Sequence, residues 1–462
     1  MLRQVGFFLA DNLKRWIPDP FVFAILLTLI VAALAWLVVG APPTTLLDSW
    51  YKGFWLMLEF GMQILLMLVS GYCIALSPPV SKGIDKLASL VKTPMAVYGF
   101  VVFIGGLFCL ISWGWLVINA VLAKEIAKRV KGVDYAYLTA CVYISGASWV
   151  CGLSSSIPLL LNTENNFLIK TKLLDSTIPI EHTLGSNINL FYAFTIIVFL
   201  PLLMVAIRPR QDNPLDYDAL KIVGDTSQLS IQEESEQLKM PEKNISDTLN
   251  HDWILQTIIS ICGFAFIIRY FSERGFDINL EIMIFIFMMI GLLTHRTPMR
   301  YVIAMKRASS NVSGIIFQYP FYAGIMGLIM YTGLATALAE SLSSMASLAT
   351  FPVIAYIAGG LINFAIPSAG GEWAVLGPSF IETAKMLTAG LPAEEVTEFI
   401  STIALSVAYG ESVTNLLQPF FFLIIQPVMA AGVNIQARDV MGHLVLPFCI
   451  LVVFGLTTLS LF

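Results

Sequence analysis

The sequence predicts an all-α polytopic membrane protein made of two inverted repeats, each with a re-entrant helical hairpin and a broken transmembrane helix. Three observations carry this. Of 462 residues, 57% are hydrophobic and only 12% charged, about half the charged share of an ordinary soluble chain. Two apolar segments are interrupted at matching places by Gly, Ser and Trp. The Lys and Arg residues gather in the loops of one side.

In the first repeat, residues 1–207, an amphipathic lead-in holds Arg3, Lys14 and Arg15 before the Pro18-Asp19-Pro20 break. Residues 21–40 are uninterrupted and apolar, long enough to span, and 53–76 span back. Residues 78–93 carry Lys82, Lys86 and Lys92 in an amphipathic pattern, as a helix lying along the inner surface does. Residues 94–130 form the first hairpin. Its middle reads IGGLFCLISWGW (104–115), and it returns to Lys124, Lys128, Arg129 and Lys131. Residues 135–161 cross with a polar interruption at 145–156, and 187–207 span again.

Residues 208–252 form the one long polar segment, rich in Asp, Glu, Ser and Lys, and read as a flexible cytoplasmic linker. In the second repeat, residues 253–462, spans are expected at 253–270, 280–293 and 315–338. A basic arm at 295–307 mirrors 78–93. The second hairpin is 350–387, with IAGGLINFAIPSAGGEW (357–373) at its centre and Pro367–Glu372 as its tip. An unpaired amide in hydrocarbon costs several kcal/mol, so broken backbone at this depth belongs inside protein or beside a wet cavity. Residues 396–429 cross with a break at 409–415, and 440–462 are the final span.

With the N-terminus inside, about 20 of the 26 Lys and Arg fall on the inner side. The first hairpin then enters from inside and the second from outside, the relation inverted repeats require. This arrangement predicts an N-terminus on the inner, cytoplasmic side and a C-terminus on the outer side, which in a bacterial inner membrane, the location that the family resemblance given below implies, is the periplasm.

Net charge is −5, which argues against a nucleic-acid partner. The six cysteines and four histidines are scattered, so neither a metal centre nor an organic cofactor is expected. Two tips and two breaks can meet near the bilayer midplane. Their helix N-termini suit an anion and their free carbonyls suit a cation. The expected substrate-binding residues are Ser112, Trp113, Gly114, Asn119 and Ser148, with Ser154 close by. From the second half come Asn363, Ser368, Ala369, Gly370, Gly371, Thr414 and Asn415. Ser145, Gly146, Glu372, Gly410, Glu411 and Ser412 are the expected coupling-ion residues, with Na⁺ at the hairpin tips or H⁺ as the ion. Glu372 and Glu411 are the only acids in the breaks, and a carboxylate at that depth is costly enough to be functional. No Lys or Arg lies in the breaks, so a small singly charged anion fits better than a phosphate or tricarboxylate.

Residues 359–378 (GGLINFAIPSAGGEWAVLGP) and 409–419 (YGESVTNLLQP) resemble the AtoE-type short-chain fatty acid transporters, a family of the ion transporter superfamily of elevator carriers. The resemblance runs the whole length. It implies a homodimer with a static scaffold and a mobile transport domain, and monocarboxylates such as butyrate or acetoacetate as substrates. The dicarboxylate branch of that superfamily has Ser-Asn-Thr at both tips, where this chain has Ser112-Trp113-Gly114 and Ser368-Ala369-Gly370. The alternatives within the class are a C4-dicarboxylate or amino-acid carrier. An intramembrane enzyme using Glu372 and Glu411 is disfavoured, because the chain has neither a nucleophile–base set at depth nor a His-Glu-x-x-His motif.

Overall fold

The computed structural model describes residues 19–56, 58–162, 167–170, 172–209, 215–220, 230–240, 244–275, 280–309, 312–366 and 368–462. Among them the chain is helical and has no strand. The lead-in at 1–18, parts of the linker and Pro367 at the expected second tip lie outside the described residues.

The chain begins with α1 (Pro20–Val39). Asp19 caps it by accepting from the Phe21 amide at 2.9 Å, and Gly40, at φ 70°, ends it in the left-handed conformation. Then come α2 (Pro43–Leu56), α3 (Leu58–Ala75) and the arm α4 (Pro78–Ser89). The span expected at 53–76 is helical over its described residues as far as Ala75, and α2 starts on its own proline, Pro43. The first hairpin is α5 (Pro94–Ile111) and α6 (Leu116–Ala127); the first broken crossing is α7 (Tyr135–Ser145) and α8 (Ser156–Asn162); α9 (Asn187–Ile207) closes this half.

The linker contains α10 (Ile231–Gln237) and α11 (Ile245–His251). The second half comprises α12 (Ile254–Arg274), α13 (Leu280–His295), the arm α14 (Pro298–Ser309), α15 (Ser313–Tyr331) and α16 (Leu334–Ser344). The hairpin α17 (Phe351–Asn363) and α18 (Ala369–Leu387) follows. The broken crossing α19 (Ala393–Thr414) and α20 (Pro419–Met429) comes next, and α21 (Val445–Leu461) is last. By length and composition six described helices suit a membrane crossing, or eight when two bent pairs are each taken as one span.

Both hairpins double back. The Asn119 amide reaches the Val101 carbonyl at 3.2 Å, whereas 18 residues of straight helix would separate them by about 27 Å. Phe351 and Phe380 have ring centroids 5.2 Å apart, where 29 helical residues would span about 43 Å. In each turn a serine has extended backbone. Ser112 has φ −156° and ψ 130°, and Ser368 has φ −152° and ψ 109°. A second match lies in the glycine pairs, which let the entering arm of each hairpin press against the adjoining broken helix. A Cβ on Gly105 would lie 2.3 Å from Ser145 Oγ, and one on Gly359 would lie 2.4 Å from the Val407 carbonyl oxygen. No larger residue fits there.

Hairpins and broken helices pack on one another and on α9 and α21, while α15 packs on α1 and α2 and α13 packs on α3 and α12 as an outer group, and buried residues of both groups join in one continuous core. Within that group α2 and α15 touch backbone to backbone, since a Cβ on Gly53 would fall 2.8 Å from Gly327 Cα.

Two expectations are corrected. The second break does not lie at 409–415. The helix runs on through Thr414 and gives way only over Asn415–Gln418, before Pro419. Gly410, Glu411 and Ser412 therefore have helical backbone, and Gly410 is there because a Cβ would stand 1.9 Å from the Tyr356 carbonyl oxygen. The linker is also not a free tether over its described length. A Ser230–Glu233 capping box starts α10, and Ile231 packs beside Cys73, Tyr301 and Ala304. Glu234 pairs with Arg307, Glu236 lies 3.9 Å from Arg300, and a hydrogen bond from Lys239 holds the Glu236 carboxyl below its usual range. The acidic helix neutralises the basic arm.

Candidate functional site

The two breaks meet. Ser412 Oγ in α19 donates to the Ala147 carbonyl at 2.8 Å. The Tyr143 hydroxyl at the end of α7 lies 2.6 Å from the Asn415 carbonyl and 2.7 Å from that of Gln418. The hydroxyl thus adds a donor from one half of the chain to the carbonyls at the break in the other.

Each tip is tied to its own break. In the first half, Asn119 donates to Ser145 Oγ at 3.0 Å, Ser145 to the Val142 carbonyl at 2.6 Å, and Ser148 to the Gly106 carbonyl at 2.8 Å. The Trp113 amide donates to Ser154 Oγ at 2.9 Å. Ser112 is buried at the turn, and Gly114 lies under Met67, whose sulfur would be 2.5 Å from a Cβ. In the second half Asn363 sends its amide to Asn415 Oδ1 at 2.6 Å, Thr414 Oγ1 at 2.9 Å and the Glu411 main-chain carbonyl at 3.2 Å. Thr414 bonds back to the Gly410 and Glu411 carbonyls at 3.1 Å. Gln418 donates to the Phe364 carbonyl at 2.9 Å, which holds the chain just before the second tip.

At that tip Ser368 caps α18, accepting from the Gly371 amide at a long 3.4 Å. Ala369 is buried, a Cβ on Gly370 would point into open space, and one on Gly371 would lie 3.0 Å from Met326. The tip offers the free amides of a 19-residue helix and a serine hydroxyl.

The junction encloses a small cavity of about 30 Å³, lined by Trp113, Tyr143, Gly146, Trp149, Ser412 and Asn415 among others. That is about the share of one water molecule. Hydroxyls, a side-chain amide and indoles surround it, and no charged group does. The structure therefore joins the first tip and both breaks. The second tip is linked to the second break through Asn363 and Gln418. Glu372 and Glu411 are fully buried and are neighbours. No set of three or more His, Cys, Asp or Glu positioned to hold a metal ion occurs among the described residues.

Three residues that organise the junction were not selected from the sequence. Tyr143 stands in an apolar helix and gives no signal there. Gln418 precedes Pro419 at the end of the second broken motif, a position from which it was readable. Lys124 has its ammonium 2.9 Å from the Val428 carbonyl and 2.6 Å from that of Ala431, which caps the C-terminus of α20 across the two halves.

A family model described as short chain fatty acid transporter matches residues 1–462. A protein of Escherichia coli (strain K12) named "Putative short-chain fatty acid transporter" is 36% identical over 463 residues, covering 99% of this chain and 100% of that one. A protein of the same name from Haemophilus influenzae is 33% identical over 447 residues, 96% of each chain. Among solved structures, the Alcanivorax borkumensis YdaH transporter is similar at a TM-score of 0.44 and 15% identity, covering 96% of this chain and 98% of that one. Neisseria gonorrhoeae MtrF is similar at 0.42 and 16%, covering 98% and 97%. This chain belongs to the short-chain fatty acid transporter family, a family of membrane transporters and not of enzymes.

Proposed function

We propose that the protein is a cation-coupled secondary carrier of short-chain monocarboxylates such as butyrate and acetoacetate, working by elevator-type alternating access as a homodimer in a bacterial inner membrane. One observation carries the substrate class: the junction of the first tip with both breaks is lined by hydroxyl, amide and indole groups and by no Lys or Arg. A monoanion with a short apolar tail matches that lining. A carboxylate would lie on the serine and amide donors and the tail against Trp113 or Trp149. A dicarboxylate would leave its second charge without a partner, which buried surroundings penalise heavily.

The division between hairpin core and outer helices supports a moving part and a fixed part. The narrow cavity supports a closed conformation, so substrate entry requires one tip to move. Counterflow of labelled butyrate in proteoliposomes tests the reading. Exchange should saturate and be competed by acetoacetate, with succinate and arginine ineffective. Exchange competed equally well by succinate would sink the monocarboxylate assignment.

A further inference from the structure

Glu372 is on the first turn of α18, beside the second tip, and Glu411 is on α19 next to it. Both are fully buried. Both carboxyl oxygens of Glu372 and Oε2 of Glu411 have no hydrogen-bond partner. The side-chain amide of Asn363 is already spent, because its Nδ2 goes to the Glu411 main-chain carbonyl, Thr414 and Asn415.

Among the described residues, the elements packed against α18 and α19 bring no counter-charge to the pair. Those elements are α8, α9, α15, α16, α17, α21 and the 3₁₀ turns 146–151, 180–182 and 415–417. Their titratable groups are Tyr192 on α9, Tyr319, Tyr322 and Tyr331 on α15, Glu340 on α16, Tyr356 on α17, Cys449 on α21 and Cys151, with Glu181 and His182 at the outer end. On α18 and α19 themselves stand Glu382, Lys385, Glu394, Glu395, Glu398 and Tyr409. The only basic groups in that set are His182 and Lys385. His182 faces Glu398 at 3.8 Å. Glu398 and Lys385 are each 13 residues along their helix from the pair, about 20 Å away.

Two carboxylates with no donor and no cation cannot both stay ionised in such surroundings. As neutral acids they need neither. We propose that Glu372 and Glu411 are the proton-binding site of the carrier, taking up H⁺ from water with the carboxylate substrate and giving it back on the far side. No covalent bond beyond O–H forms or breaks, and one proton per monoanion makes the cycle electroneutral. The site is beside the mobile tip, so the same movement that admits substrate admits water to the acids. This inference rests on the transport reading above and replaces Na⁺ with H⁺ as the coupling ion.

The test uses full-length protein in proteoliposomes, with rates taken as the excess over protein-free vesicles. The unaltered protein should alkalinise the outer medium when butyrate is added, one proton per butyrate. A pH gradient without Na⁺ should drive accumulation. Glu372→Gln and Glu411→Gln should each lower that accumulation at least tenfold, while counterflow at equal pH stays measurable and loses its pH dependence. Absent alkalinisation, accumulation that needs a Na⁺ gradient, or pH-driven accumulation persisting in both variants would each overturn the proposal. Because alkalinisation and ion dependence are read on the unaltered protein, misfolding of a variant does not rescue it. Failure of the transport reading looks different: no butyrate counterflow at any pH.

Discussion

The hydroxyl of Tyr143 lies 2.6 Å from the carbonyl oxygen of Asn415, and this contact ties the first broken helix to the break of the second. The residues are 272 apart in the chain. Tyr143→Phe keeps the ring and removes the one hydroxyl donor that the Asn415 and Gln418 carbonyls share, the Asn415 carbonyl keeping the Gln418 amide at 3.2 Å. A lost hydrogen bond of this kind costs about 0.5–1.5 kcal/mol. The variant should therefore melt at a lower temperature in detergent and exchange butyrate more slowly. An unchanged melting curve would remove Tyr143 from the junction.

Two glycines separate packing from function. Gly410→Ala drives a methyl into the Tyr356 carbonyl oxygen, where a Cβ would be 1.9 Å away. Overpacking of this kind costs about 1–3 kcal/mol or more. Gly370→Ala meets nothing within 4 Å. The first variant should lose thermal stability, and the second should melt like the parent protein and change only the apparent KM for butyrate. Thermal shift combined with counterflow checks both.

Ser368→Ala removes the hydroxyl at the second tip. Its cap bond is long at 3.4 Å, so the cost in stability is small, within about 1 kcal/mol. Its cost in substrate affinity should be several-fold. Ser341→Ala, on the exposed face of α16, should do neither. Equal KM values for the two variants would move the substrate away from this tip.

Lys124→Met keeps the length of the side chain and removes the ammonium that caps Val428 and Ala431. Charge-assisted bonds of this kind contribute about 1.5–3 kcal/mol. The variant should show a lower melting temperature and earlier proteolysis near residues 428–436, read by mass spectrometry of the fragments.

Glu234→Lys sets like charge against Arg307. The linker helix should come off the arm and be cut faster by chymotrypsin, for which the substitution adds no site, with butyrate counterflow retained. Cleavage at the parent rate would mean that the Ile231 contact alone holds it.

The hairpins and the polar breaks were legible because the bilayer punishes irregular backbone so strongly that Gly-Gly, Ser and Pro amid apolar residues stand out. The position of the second break was less legible. Gly410, Glu411 and Ser412 look like an interruption by residue type, yet the helix continues through them. Gly410 marks a close approach of backbones, and Ser412 spends its hydroxyl on Ala147. The docked linker was hidden for another reason. Its composition is that of a solvated segment, and its order depends on Arg300 and Arg307, which lie far along the chain. Contacts between the halves, such as Tyr143 with Gln418 or Lys124 with Val428, leave no local periodicity to read.

Both hairpin turns rest on thioethers: Gly114 on Met67 and Gly371 on Met326. An unbranched, polarizable chain with three free torsions refills a changed hollow at little cost. In the elevator cycle proposed above, a lobe seated on such cushions would slide without tearing an interlocked surface, so stiffening either cushion to a β-branched residue should brake the stroke and spare the cargo's grip.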